Sequence, residues 1–179
     1  MAEFSAAYEV GRKNEGGYSN IKSDKGGETY SGVSRVYWPN WEGWPIIDAY
    51  KAEHELKRGD FIHNADLESL IKQFYYKNFW RKMSGDGIDS QEVATYIYDW
   101  SLTSGKALMK IQQMLGVAPD GSFGPVTVGK LNDLGGAALH KIYQLRVAYY
   151  NGIVAKSPDQ QVNLAGWLNR ANGLYDILT

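Results

Sequence analysis

Cysteine is absent from the 179 residues. Disulfides, thiol catalysis and cysteine-based zinc sites are therefore excluded. The redox compartment stays open, since no thiol reports on it. No charge of one sign dominates: 19 Lys and Arg face 20 Asp and Glu, for a formal charge of -1. There is no global basic field to hold nucleic acid or an anionic membrane, which leaves only a local patch for such a role. The basic residues read as dispersed over a solvated surface. No apolar run approaches the roughly 20 residues that span a bilayer, so no membrane insertion is expected. Low-complexity segments and convincing internal repeats are missing too. The first residues, Met1-Ala2-Glu3-Phe4-Ser5, carry neither a basic n-region nor an apolar h-region. They predict a protein synthesised in the cytoplasm without a recognisable signal peptide.

What is there describes a globular chain. Hydrophobic residues make up 44% and charged residues 22%, enough to build a core. The length suits one ordinary domain, or two small ones sharing a core. Aromatics are abundant, with 13 Tyr, 6 Trp and 5 Phe. Flat aromatic faces serve sugar-binding clefts, and they serve cores equally well.

Helical periodicity runs through most of the chain. A first helix spans Ala2 to about Asn14, with Phe4, Ala7, Tyr8 and Gly11 on one side, and Gly16-Gly17 stops it. Thr29, Tyr30, Val33, Val36, Tyr37 and Trp38 have β character, ended by Pro39-Asn40. Pro45 suits the first turn of a helix carrying Ile46, Ile47, Tyr50 and Leu56. Asn64 is a good N-cap for a helix with the stripe Leu67, Leu70, Ile71, Phe74, Tyr75 and Phe79. Asp89-x-x-Glu92 resembles a capping box for a fourth helix. A helix over about Ser104–Leu115 follows. After the Asp120-Gly121 turn, Pro125 opens another. A long helix ends near Lys156. A last one carries Leu164, Trp167, Leu168, Ala171, Leu174, Tyr175 and Leu178. The chain is predicted to be mainly α, with a short β element near residues 28–38.

Two carboxylates stand out. Glu15 falls at the expected C-terminal end of the first helix, where the helix dipole disfavours a negative charge. A break of that kind points to a functional site. Asp24 follows on the next loop, in Asp24-Lys25-Gly26-Gly27, and Thr29 lies just beyond. Glycoside hydrolysis needs a carboxylic acid to protonate the leaving oxygen, and usually a second carboxylate as base or nucleophile. A negative helix end, partial burial and a neighbouring carboxylate all raise a Glu pKa toward what a general acid needs. Thr29 offers a hydroxyl to position water. The same residues also have bland readings. Glu15 could be a solvated helix-end carboxylate, Asp24 a turn cap, and Thr29 a strand residue.

Glu15-Gly16-Gly17-Tyr18, followed by Asp24-x-Gly-Gly-x-Thr29, resembles the family 108 glycoside hydrolases. These are phage-type N-acetylmuramidases, some known as secretion activator proteins. The Glu-x8-Asp-x4-Thr pattern is also similar to the Glu, Asp and Thr triad of T-even-type phage lysozymes, in which the Asp-to-Thr gap is one residue longer. Members of family 108 often carry Pro after the Asp, where this chain has Lys25. Separately, Leu108 to Val117 leading into Asp120-Gly121-x-Phe123-Gly124-Pro125-x-Thr127 resembles small helical peptidoglycan-binding domains.

The resemblance implies a lysozyme-like catalytic domain over about 1–100 and a helical peptidoglycan-binding module over 101–179. It implies hydrolysis of the β-1,4 bond between N-acetylmuramic acid and N-acetylglucosamine. Glu15 would be the acid, Asp24 would stabilise charge or help position water, and Thr29 would orient that water. Tyr30, Tyr37, Trp38 and Asp99 are expected at the sugar. Asp120, Gly121, Phe123, Gly124 and Pro125 mark the binding module, as fold-defining residues more than as ligand contacts. No metal and no cofactor is expected. The expected partner is the peptidoglycan glycan strand, reached through a holin or other export route, with action at the cell wall or periplasm. Two other readings of the same residues stand beside this one: a lytic transglycosylase using Glu15 alone, and a non-catalytic wall-binding or secretion-assisting protein.

Overall fold

The structure, a computed structural model, describes residues 1–12, 16–21 and 27–179. Among them are eight α-helices and one three-stranded antiparallel sheet, so the protein is mainly α as expected. The chain forms two compact units, one of residues 11–76 and one of residues 1–10 with 77–179. Helix α1 spans Phe4–Arg12.

The unit of residues 11–76 holds the sheet. Strands β1 (Tyr18–Asn20), β2 (Glu28–Tyr30) and β3 (Val33–Ser34) pair in sequence order. Ser31 and Gly32, with φ of 45° and 78°, make the two-residue turn between β2 and β3. Positive φ at both positions matches the twist of a tight hairpin. The β element is shorter than the expected run to residue 38. Trp38 N–H donates to Ser34 O at 2.9 Å, which folds the chain over into a turn and leaves Val36 and Tyr37 exposed.

β1 is also gripped from outside the sheet. Tyr18 N–H donates to Asp60 O and Gly59 N–H donates to Tyr18 O, both at 2.8 Å. This brings the 59–60 backbone so close to Gly17 that a Cβ there would overlap the carbonyls of Gly59 and Asp60, whereas Gly16 faces open space. The two glycines that stop the first helix in sequence thus have different reasons to be there.

Helix α2 (Trp44–Glu53) starts with Pro45 in its first turn, as expected, but ends before Leu56. Helix α3 (Ala65–Tyr75) is capped by Asn64, whose side chain accepts from Leu67 N–H at 2.9 Å. Its buried residues Leu67, Ile71, Phe74 and Tyr75 are those of the sequence stripe. A π-helical turn continues it over Tyr76–Trp80.

The other unit is built around α4 (Gln91–Thr103), in which every residue from Val93 to Trp100 is buried. Its N-cap is Ser90, one residue later than the Asp89 cap suggested by sequence. Ser90 Oγ accepts from Val93 N–H at 3.1 Å and donates to Glu92 at 2.7 Å. Around α4 pack α5 (Ala107–Met114), α7 (Ala138–Lys156) and α8 (Gln161–Leu178), with α6 (Pro125–Asn132) between α5 and α7 in sequence. The α8 stripe is only partly sunk, with Ala171 and Leu174 buried. Tyr143 and Tyr175 stack at 4.2 Å, and Tyr150 and Trp167 at 5.3 Å, along the α7–α8 seam.

A buried ion cluster ties these helices together. Asp99 on α4 is 2% exposed and meets Arg146 on α7 at 2.9 Å and Arg170 on α8 at 2.7 Å. Arg146 is fully buried, with its guanidinium 5.2 Å above the Tyr96 ring. Burial works to lower its pKa. The Asp99 charge and the Tyr150 hydroxyl outweigh that and hold it above the ordinary arginine range. Tyr96 hydroxyl donates to Ala171 O at 3.1 Å, a second tie from α4 to α8.

The Asp120-Gly121 turn is held by Gln112, from the helical stretch that precedes it in the motif. Buried Gln112 donates to Asp120 Oδ1 at 2.7 Å and to Ser122 O at 3.0 Å, and accepts from Gly121 N–H at 2.8 Å. Phe123 is buried, and its N–H donates to Lys82 O at 2.8 Å. Gly124 is the N-cap of α6 and Pro125 its first residue.

Two stability outcomes follow from these contacts. Asp99→Ala leaves one fully buried and one part-buried guanidinium without a counter-charge. It should cost about 3–5 kcal/mol, and Arg170→Ala should cost less, because Arg170 is 26% exposed. Gly17→Ala should cost about 1–3 kcal/mol, since only backbone movement relieves the clash, while Gly16→Ala leaves the melting temperature nearly unchanged. Thermal melts of the four variants check both rankings.

Candidate active site

The sheet register decides which side chains share a face. Ser19 pairs with Thr29 and Thr29 pairs with Ser34, so three hydroxyl residues form one cross-strand row. The neighbouring row, Tyr18, Tyr30 and Val33, belongs to the opposite face and is buried. Thr29 is half-exposed between Ser19, also half-exposed, and Ser34, which is buried and accepts from Tyr37 N–H at 3.4 Å.

Tyr30 belongs to the core. It is fully buried, and its hydroxyl accepts from Ile62 N–H at 2.7 Å. Burial raises its pKa, against the lowering effect of that hydrogen bond. Its ring has no surface to offer a sugar, which corrects the expectation of a substrate contact. The β-rich pattern around residue 30 placed it rightly in a strand but could not tell which face it takes. Asp99 is corrected on the same ground, because its carboxylate is buried and spent on Arg146 and Arg170.

Tyr37 and Trp38 differ from Tyr30 in keeping ring surface exposed. They are 67% and 42% exposed. Trp38 is braced edge-on against Phe74 at 5.0 Å, so the ring is held while part of it stays open. Trp44 is buried, its indole N–H donating to Trp38 O at 2.7 Å. Trp41 lies between these extremes, edge-on to Trp44 at 5.2 Å.

One described carboxylate is adjacent to Thr29 in the strand. Glu28 accepts from Tyr18 hydroxyl at 2.9 Å and pairs with Arg35 Nε at 2.7 Å and with Lys51. Arg35 also forks onto Asp48, at 3.0 and 2.6 Å, and lies 4.3 Å over the Trp44 ring. The Asp48 hydrogen bond raises the Arg35 pKa and lowers that of Asp48, while the Glu28 hydrogen bond raises that of Lys51. Glu28 is thus committed to a charge network that pins β2 to β1 and α2. Sequence reasoning missed this network, because its members are spread over 18–51.

Glu15 and Asp24 lie outside the described residues. In sequence, Glu15 is three residues before the start of β1, and Asp24 lies in the connection between β1 and β2. Among the described residues no group of three or more His, Asp or Glu is placed to hold a metal ion. No helix there is long and apolar enough to cross a membrane.

Known proteins supply the frame for this geometry. The family model described as Glycosyl hydrolase 108 matches residues 9–105, and one described as Predicted Peptidoglycan domain matches residues 106–172. None of the curated proteins matches the chain. Among solved structures, one titled Structure of Brucella abortus SagA is similar over 98% of this chain and 92% of that one. Its TM-score is 0.67 at 20% identity, a likeness of fold. The boundary between the family matches, at 105/106, falls inside the larger compact unit. There Phe123 and Asn132 hydrogen-bond to the backbone of Lys82 and Gly87. With more than half of its length matched, the chain belongs to the glycosyl hydrolase 108 family and is, at the level of that family, a glycoside hydrolase acting on peptidoglycan.

Proposed function

We propose that the protein is an N-acetylmuramidase, hydrolysing the β-1,4 bond between N-acetylmuramic acid and N-acetylglucosamine. The supporting observation is the pair Ser19 and Thr29, half-exposed cross-strand neighbours on the two strands that flank Asp24 in sequence. Glu15 protonates the glycosidic oxygen as the bond breaks. Asp24 stabilises positive charge developing on the sugar, or helps to position the attacking water. Thr29 orients that water, with the Ser19 residue paired to it alongside. Tyr37 and Trp38 offer their exposed ring surfaces to the pyranose faces, whose C–H groups pack on aromatic rings.

The alternative acid in the strand, Glu28, is unsuited to that role. Its two oxygens already serve Tyr18, Arg35 and Lys51, which leaves no free approach for a glycosidic oxygen. This favours the motif carboxylates Glu15 and Asp24. Family membership places the reaction at the cell wall.

General acid catalysis contributes typically about 10²–10⁴-fold. Glu15→Gln should therefore lower the rate of wall hydrolysis by at least about 100-fold with an unchanged melting temperature. The measurement is mass spectrometry of soluble fragments from purified peptidoglycan, digested in parallel by wild type and variant. Reducing-end muramic acid fragments from wild type alone are expected. Anhydro-muramyl ends would instead make the protein a lytic transglycosylase. Wall binding with no fragments from either protein would leave a non-catalytic binder.

A further inference from the structure

The segment that forms α5 and α7 is unusual in charge. No Asp or Glu occurs between Ser101 and Pro119, or between Leu134 and Pro158. The cations of these stretches are thus not diluted, although the whole chain carries a formal charge of -1. In the structure, three of them gather at one place. Lys106 and Lys110, from the start and middle of α5, and Lys156, from the end of α7, line a groove between the two helices of about 530 Å³. That volume lies in the roughly 300–1,000 Å³ range of small-ligand pockets. The expectation of uniformly dispersed basic residues fails here.

The groove has two chemistries. Its apolar lining comes from Met109, Leu145 and Ile153, and Tyr149 is its one aromatic. Its charged lining residues are the three lysines, and no carboxylate lines it. Among the described residues none of the three lysines is ion-paired, and Lys110 Nζ donates only to the neutral Gln113 side chain at 3.0 Å. Three ammonium groups facing one concavity repel one another, and that repulsion is relieved when an anion enters.

We infer that this groove is the seat of an acidic peptide, namely the stem peptide that peptidoglycan carries on its muramic acid, with Lys106, Lys110 and Lys156 holding the carboxylates. The inference rests on the peptidoglycan reading above and assigns the moiety within it. The glycan itself is the poorer match. Amino sugars are neutral, and their lactyl carboxyl is consumed in the amide to the peptide. They stack on flat aromatic rings, of which the groove has one. The stem peptide has the complementary composition: several carboxylates for the lysines, and alanine methyls for the aliphatic lining. A module that holds the peptide while the other half of the family pattern works on the glycan would read both components of the wall. Each exposed ion pair is worth little alone, so affinity depends on all three lysines together and is salt-sensitive.

Calorimetric titration of the full-length protein with the free tetrapeptide L-alanyl-γ-D-glutamyl-meso-diaminopimelyl-D-alanine tests this directly. Parallel titrations use a chitotetraose and phosphatidylglycerol vesicles. The tetrapeptide should bind, and more weakly as salt is raised. Replacing the lysines together (Lys106→Gln, Lys110→Gln, Lys156→Gln) should weaken it at least about tenfold. The corresponding triple Arg variant should retain binding, which separates charge from folding. Equal tetrapeptide affinity in the Gln variant, or binding of vesicles but not of tetrapeptide, would overturn the inference. Absence of tetrapeptide binding in a protein that still releases wall fragments would overturn the groove assignment and leave the hydrolase reading standing. Loss of both would remove both.

Discussion

The carboxylate of Asp99 is the constraint on which the larger unit depends. A helix with eight consecutive buried residues has no polar face, so hydrophobic patterning alone cannot set its rotation. The Asp99 charge can. Burying it is tolerable only with counter-charges in place, and those come from two other helices, Arg146 of α7 and Arg170 of α8. One carboxylate therefore fixes how α4, α7 and α8 meet, and the Tyr96 bond to Ala171 repeats the constraint three residues away. α7, held in this way, contributes Leu145, Tyr149, Ile153 and Lys156 to the groove it shares with α5.

The smaller unit solves a different problem. Its strands are two and three residues long, too short to be stable on ladder hydrogen bonds alone. Support comes from side chains and from a neighbouring loop. Tyr30 receives Ile62 N–H, Tyr75 donates to Ser31 O, and the 59–60 backbone clasps β1 against Gly17. The Glu28–Arg35–Asp48–Lys51 network adds a polar fastening near the surface. The opposite face carries Ser19 and Thr29, both half-exposed, beside Ser34, which is buried.

Much of this was legible in the sequence where local physics decides. The Asn64 cap, the α3 stripe, proline at the starts of α2 and α6, and the end of the long helix at Lys156 all follow from short-range rules. The failures share a cause. Tyr30 and Asp99 looked like site residues because their types suit sugar binding, but burial is a property of tertiary packing. The β run broke early because a backbone turn at Ser34 outweighed the β propensity of Val36 and Tyr37. Gln112 lies within the Leu108–Val117 stretch of the motif, but its hold on the Asp120-Gly121 turn is a tertiary contact that spacing does not reveal. The lysines of the groove come from two helices far apart in sequence, so no linear scan assembles them.

Under the proposed function the glycan meets Ser19, Thr29 and the exposed aromatics of the smaller unit. A nuclear magnetic resonance titration of the Glu15→Gln protein with a muramic acid-containing tetrasaccharide that lacks stem peptides tests it most directly. Shifts are expected at the amides of Ser19 and Thr29 and at the Trp38 indole, with Tyr30 hydroxyl and Asp99 neighbours unmoved. Shifts confined to α5 and α7, with the sheet silent, would contradict it.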